Sequence, residues 1–257
     1  MKIVILAGGI GSRITEESQL RPKPMIEIGG KPILWHIMKT YAAQGFNDFI
    51  ICLGYKGHMI KEYFLNYYLY NSDLSIDLSN NKVEIHHTNT ADFKVTLIDT
   101  GLNTQTAGRI NKIKEYIDGD DFFLTYGDGL ANIDLNAELE FHKTHGKIAT
   151  MTIVQPEGKF GALKFNEKLL VEDFKEKPKG DGSWINGGFF ILNKRVFDYL
   201  DDTYDDIMWE DDPLDELTKN KQLMAFKHHG FWKCMDAMRD KIHLDQMWTD
   251  DPKWKIW

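Results

Sequence analysis

The chain has 257 residues, 42% of them hydrophobic and 27% charged, which is ordinary globular composition and enough length to bury a large core in one α/β domain or two small ones. Its net charge of -8 disfavours nucleic acid or an anionic membrane as the main partner, while leaving room for a small anion held by locally gathered cations. Cys52 and Cys234 are the only cysteines, too few for a disulfide framework, and no signal peptide or membrane-length apolar run is apparent, so a soluble cytoplasmic protein is expected.

In chain order, Ile3–Leu6 reads as a buried strand and Ile33–Ala43 as a helix with Leu34, Ile37, Met38 and Tyr41 on one face. Phe49–Leu53 is a second strand, and His58–Tyr68 a second helix with Ile60, Phe64 and Tyr67 in phase. Residues 72–81 are polar and turn-rich; Val83–His86 and Phe93–Leu97 alternate like half-exposed strands. Gly108–Tyr116 returns to helix and Phe122–Thr125 to strand. Strands alternating with helices imply βαβ units and a mostly parallel sheet.

The second half changes character. Ile148–Val154, Gly161–Phe165, Val171–Phe174 and Phe189–Leu192 read as strands with short gaps, closer to an α+β extension. The acidic stretch from Asp198 to Asp215 is expected to form a solvated helix and loop, and Lys241–Trp248 a closing helix. No repeat, low-complexity linker or clear boundary interrupts the chain, so a single domain is the simplest organisation.

The first turn carries the clearest chemistry. Ala7-Gly8-Gly9-Ile10-Gly11-Ser12-Arg13 follows the first strand directly, and Pro22-Lys23-Pro24 comes soon after. Glycines after a strand let backbone N–H groups close on an anion without a Cβ in the way. Arg13 and Lys23 add two cations, and the flanking prolines fix the backbone that aims Lys23. A plain β-turn does not need three glycines and two cations, so the segment fits a polyphosphate. It is not a dinucleotide fingerprint, because Ile14 stands where the third glycine would be, and it lacks the Gly-Lys-Ser/Thr of a P-loop.

Tyr126-Gly127-Asp128-Gly129 follows the strand Phe122–Thr125, where open α/β sheets place their ligands, so Asp128 can reach a divalent cation held by phosphates. Asp236, at the end of Phe231–Asp236, would alone be an ordinary helix cap and gains interest as a partner for Asp128. Glu176-Lys177-Pro178 and Asn186-Gly187-Gly188 balance evenly between an exposed charged loop and a set that meets a phosphate and sugar hydroxyls. Asp99-Thr100-Gly101 and Thr104–Arg109 form a polar loop entering a helix, more often a cap than an anion site. The pairs His86-His87 and His228-His229 fall on strands, where neighbours face opposite ways, and His142 with His145 has no third ligand nearby, so a zinc site is not expected. Trp248, Trp254 and Trp257 are either tail packing or a subunit contact.

Leu6-Ala7-Gly8-Gly9-Ile10-Gly11-Ser12-Arg13, Pro22-Lys23-Pro24, Gly127-Asp128, Glu176-Lys177-Pro178, Asn186-Gly187-Gly188 and Trp232…Asp236 together resemble the sugar-phosphate nucleotidyltransferases, in order and spacing, from end to end. Lys31–Met38, Gly54-Tyr55-Lys56-Gly57, Asp99-Thr100-Gly101 and Gly230-Phe231-Trp232 look like the subgroup that joins CTP to glucose 1-phosphate; Ala107 and Cys234 depart from its pattern. The resemblance implies an α/β, Rossmann-like nucleotidyltransferase fold: a mostly parallel mixed central sheet flanked by helices, plus a small C-terminal α+β elaboration. It implies a nucleotide-binding half over 1–130 and a sugar-phosphate-binding and oligomerisation half over 131–257.

By that resemblance Leu6, Ala7, Gly8, Gly9, Ile10, Gly11, Ser12, Arg13, Lys23, Thr104, Arg109 and Asp128 surround the nucleotide, with Arg13, Lys23 and Asp128 catalytic. Glu176, Lys177, Asn186 and Gly187 take the sugar phosphate, and Asp128 and Asp236 hold Mg²⁺. The implied activity is transfer of a cytidylyl group from CTP to glucose 1-phosphate in a homo-oligomer built of trimers, as a step toward dideoxysugar and O-antigen biosynthesis. A sister enzyme using UTP, dTTP or another phosphorylated acceptor remains open, as does a catalytically silent nucleotide or sugar-phosphate sensor. Retention of both carboxylates argues against the sensor.

Overall fold

The computed structural model describes residues 1–156, 158, 162–167, 169–175, 179, 183–201 and 203–257. In the first half β1 (Lys2–Leu6), β2 (Glu27–Ile28), β3 (Lys31–Pro32), β4 (Asp48–Leu53), β5 (Ser72–Asp77), β6 (Lys82–Thr88), β7 (Lys94–Asp99), β8 (Asp121–Tyr126) and β9 (Gly129–Ala131) alternate with α1 (Thr15–Ser18), α2 (Ile33–Ala42), α3 (Gly57–Tyr70) and α4 (Thr106–Asn111). The second half adds β10 (Ala149–Val154), β11 (Ala162–Phe165), β12 (Val171–Lys175), β13 (Ile185–Asn193), β14 (Leu223–His228) and β15 (Trp232–Cys234), with α5 (Leu135–His145), α6 (Asp212–Lys219) and α7 (Met238–Asp250).

Seven strands form one sheet in the order β14-β10-β13-β8-β1-β4-β7. Only β13 runs against the others, since it pairs antiparallel with both β8 and β10 while every other pairing in the sheet is parallel. Both faces are covered, as a parallel sheet requires. Alternate residues show it: Ile3 and Ile5 pack into a core with α2, α5 and α7, while Val4 and Leu6 pack into a second core with α4, α6 and Trp209. The fold expected from the sequence is the fold observed.

Several element readings change in detail. The turn-rich stretch at 72–81 contains a strand, β5, which pairs with β6 in an exposed hairpin. Its polar positions alternate with Leu74 and Ile76, which oppose Ile85 and Val83, and Ile76, Val83 and Ile85 are exposed as well. The helix expected over 108–116 starts at Thr106, stops at Asn111 and resumes as a 3-10 turn at Lys114–Tyr116. The later strands divide: β10, β13 and β14 complete the central sheet, while β11 and β12 make a separate hairpin. Short gaps between apolar runs do not show which sheet a strand joins. The acidic stretch at 198–215 is not wholly solvated, because Trp209 is fully buried within it.

The C-terminal tryptophans pack inward. Trp254 is fully buried and donates from Nε1 to His36 Nδ1 at 3.3 Å, and Trp248 and Trp35 meet the same imidazole edge-on. His36 Nε2 donates to the Ile28 carbonyl at 2.8 Å, and burial lowers the ring's pKa to about 4, so it stays neutral. Among the described residues, no helix is long and apolar enough to cross a membrane.

Candidate active site

β1 and β8 are parallel neighbours in register, Leu6 beside Tyr126, so the glycine loop and the Gly127-Asp128 turn leave the same edge of the sheet together. A cavity of about 810 Å³ opens there. It is lined by every residue from Leu6 to Arg13 and by Lys23, Thr104, Arg109, Asp128, Asn186, Gly187 and Asp236, gathering the described candidates into one place. Glu176 and Lys177 lie outside the described residues.

The loop is held from behind. Ala7 N donates to the Cys52 carbonyl at 3.0 Å and Tyr55 N to the Gly8 carbonyl at 3.0 Å, tying it to the end of β4. Arg109, buried on α4, lies beneath it and donates from Nη2 to the Gly8 carbonyl at 3.1 Å. From Nη1 it donates to the Leu53 carbonyl, Thr100 Oγ1 and the Gly101 carbonyl at 2.7 to 2.9 Å. A Cβ on Gly8 would sit 2.1 Å from Arg109 Nη1, so that glycine makes room for the guanidinium as well as for a ligand. The Thr104 hydroxyl accepts from Lys112 Nζ at 3.0 Å, and the same ammonium reaches Asp205 at 2.7 Å.

Lys23 is delivered by backbone geometry. It opens a 3-10 turn, Lys23–Met25, and Pro24 packs on Gly127, where a Cβ would meet the proline Cγ at 2.9 Å. Lys23 Nζ lies 2.6 Å from Asp128 Oδ2 and 2.9 Å from Asp236 Oδ1. Arg13 Nη1 reaches Asp236 Oδ2 at 3.3 Å.

Asp128 and Asp236, far apart in sequence, meet because β15 pairs antiparallel with β9, Cys234 opposite Gly129, and Met235 N donates to the Asp128 carbonyl at 2.9 Å. Asp236 does not cap α7. Its own N–H and that of Ala237 donate to Asp240 Oδ2, which leaves the Asp236 carboxylate free to turn toward the cations.

Burial alone would push the Asp236 carboxyl up, but Lys23 and Arg13 outweigh it and hold its pKa below the ordinary value. Burial likewise opposes the Lys23 ammonium, and Asp128 and Asp236 overcome it and raise its pKa. Asp128, Cys234 and Asp236 bring one ligand atom each within 4.8 Å of one another. Burial and the carboxylates push the Cys234 thiol up, so the anionic donors are the two hard oxygens. Carboxylate oxygens that already converge on a cation fit a divalent metal completed by phosphate oxygens.

Sequence reasoning missed Glu210. Its Oε2 accepts from Thr106 Oγ1 at 2.8 Å and its Oε1 from the Tyr126 hydroxyl, with Asn186 Nδ2 3.5 Å from that hydroxyl. Trp232 Nε1 donates to the Gly187 carbonyl at 2.7 Å, fixing β13 against β15. The signal for Glu210 was slight: an acid directly after the one tryptophan of an acidic run.

The family model for nucleotidyl transferases matches residues 2–250, and the chain belongs to that family. The family binds a nucleoside triphosphate and a sugar phosphate and generally uses a divalent metal. Among individual relatives, the chain is 52% identical over 259 residues to the glucose-1-phosphate cytidylyltransferase of Salmonella typhi, covering the whole of both chains. It is 45% identical over 258 residues to a probable glucose-1-phosphate cytidylyltransferase of Bacillus subtilis, again over all of both. Of solved structures, HddC from Yersinia pseudotuberculosis superposes with a TM-score of 0.68 at 25% identity, over 96% of this chain and 99% of that one.

Proposed function

We infer that this chain transfers a cytidylyl group from CTP to α-D-glucose 1-phosphate, giving CDP-glucose and pyrophosphate for dideoxysugar and O-antigen biosynthesis. The cluster of Arg13, Lys23, Asp128 and Asp236 at the mouth of the cavity carries the reaction class; end-to-end likeness to glucose-1-phosphate cytidylyltransferases supports the base and the sugar.

A phosphate oxygen of glucose 1-phosphate attacks the α-phosphorus of CTP in line. The new P–O bond forms as the bond to the β-phosphate bridging oxygen breaks, and pyrophosphate leaves with that electron pair. An anionic oxygen already attacks, so no protein nucleophile is required; what must be supplied is neutralising charge between two polyanions. Arg13 and Lys23 offset charge on the α-phosphoryl and the leaving group. Asp128 and Asp236 would hold Mg²⁺, which would supply further neutralisation of phosphate charge. Backbone N–H groups of the loop from Leu6 to Ser12 cradle the triphosphate, Thr104 and Arg109 complete the nucleotide side, and Glu176, Lys177, Asn186 and Gly187 receive the sugar phosphate.

In this reading 1–130 is the nucleotide half and 131–257 the sugar-phosphate half of one domain, working in the cytoplasm as a trimer-based homo-oligomer. Exposed apolar side chains, Leu65, Leu69, Ile76 and Val83 in the first half and Leu163, Leu170, Val171 and Phe174 in the second, support assembly, with oligomerisation assigned to 131–257.

Pyrophosphate release with glucose 1-phosphate and Mg²⁺ is the test, run separately with CTP, UTP, dTTP and ATP. CTP is expected to dominate. Preference for another nucleotide transfers the function to a sister enzyme, and silence with all four overturns glucose-1-phosphate nucleotidyl transfer.

A further inference from the structure

The two carboxylates read above as metal ligands spend one oxygen each on the same ammonium, Lys23 Nζ, at 2.6 and 2.9 Å. We propose that Lys23 is the counter-ion of the Asp128–Asp236 pair whenever no divalent ion is present, and that an arriving ion displaces it toward the triphosphate. The inference rests on the proposed function only in taking that carboxylate pair as the metal site.

Two carboxylates brought together in a half-buried cleft repel each other unless a cation lies between them. Lys23 meets that need, its side chain only 13% exposed, whereas Arg13 is 75% exposed and touches Asp236 alone at 3.3 Å. A divalent ion such as Mg²⁺ bonds to carboxylate oxygen at about 2.0–2.1 Å, inside the distances now taken by the ammonium, so the two cations compete for Asp128 Oδ2 and Asp236 Oδ1.

The displaced amine has a defined range. Pro22 and Pro24 flank Lys23, Pro24 is packed on Gly127, and Lys23 Cβ would lie 3.3 Å from a Cβ built on Gly11. The backbone therefore stays put, and only the four-carbon stem swings, alongside the glycine loop. The same residue serves the carboxylates before loading and the phosphates after it. One positive charge moves onto the nucleotide as a doubly charged ion takes its place.

The test titrates full-length chain with Mn²⁺ in the absence of nucleotide, reading free Mn²⁺ by electron paramagnetic resonance. Lys23→Met is expected to bind Mn²⁺ at least about 10-fold more tightly than wild type, because a competing unit charge has gone. Asp128→Asn is expected to abolish the gain. Lys23→Gln, close to lysine in length but uncharged, replaces the methionine variant if that fails to fold. Binding by both uncharged variants no tighter than wild type, including none detectable in any protein, overturns the proposal. Pyrophosphate release by the wild-type protein reports separately on the enzymatic reading, which survives that outcome if turnover with CTP is present.

Discussion

The Tyr126 hydroxyl donates to one oxygen of Glu210 while Thr106 Oγ1 donates to the other, so a single carboxylate joins the end of β8 to the first residue of α4. Burial and the Glu210 charge together push the Tyr126 hydroxyl far up in pKa, keeping it a donor at any working pH. The pair sits on the cavity wall between the glycine loop and Asn186, yet both groups are spent on each other and on the fold.

Glu210→Gln keeps the shape but loses the charge and one of the two acceptor oxygens. A hydrogen bond to a charged group contributes ~1.5–3 kcal/mol, so kcat/KM should fall by roughly 10- to 100-fold. Steady-state kinetics with each substrate varied in turn, plus recovery in Glu210→Asp, check it. Unchanged kinetics in the glutamine variant would show that the bridge does not position the site.

Lys23→Ala and Asp128→Ala should each lose at least ~10²–10³ in turnover while remaining folded, as expected for removing one preorganised charge contact. Circular dichroism establishes the fold and pyrophosphate release the rate. Near-wild-type turnover in either variant would sink the assignment of the cluster.

Arg109→Met should cost stability as well as activity. It strips donors from the Gly8, Leu53 and Gly101 carbonyls and the Thr100 hydroxyl, at ~1–3 kcal/mol for each buried acceptor that finds no water. A loss of about 3 kcal/mol corresponds to a fall in Tm of roughly 6–12 °C in a domain of this size. Thermal melts measure it, and a drop below ~2 °C would show that the guanidinium is not a brace.

A pH-dependent term should come from Glu138, fully buried on α5 with Oε1 accepting from Thr152 Oγ1 at 2.6 Å. Burial raises its pKa from 4.5 to about 8. Between those values the folded chain holds a proton that the unfolded chain has released, so this group's contribution to stability falls as pH rises through the window and is flat above it. Glu138→Gln, which cannot ionise, should gain in Tm over wild type from pH 5 to pH 8. Parallel melting curves across the range would contradict this.

The parallel order of β1, β4 and β8 was legible because buried strands read as unbroken apolar runs and their helices carry a 3.6-residue period. The glycine loop and Asp128 were legible too, since both directly follow such strands. The residues alone only suggested pairing Asp128 with Asp236, and the resemblance was needed to favour it, because the meeting depends on the β9–β15 ladder, whose three-residue strands carry no periodic signal. Glu210 was hidden for another reason. In a run of acids every carboxylate looks solvated, and only the burial of Trp209 turns its neighbour inward. Arg109 lines the cavity, but nothing in its spacing announces a guanidinium occupied by backbone carbonyls.

The β9–β15 ladder also bears on how the protein is made. A ribosome emits the glycine loop, Lys23 and Asp128 long before Trp232–Cys234, so a nascent chain can shape a phosphate cradle while the second carboxylate is still unsynthesised. With Asp236 as the proposed second metal ligand, chemistry is expected to wait for the late strand to dock. A polypeptide cut short before Trp232 would retain part of the cradle and lack turnover, so release of pyrophosphate doubles as a check that synthesis ran to the last tenth of the sequence.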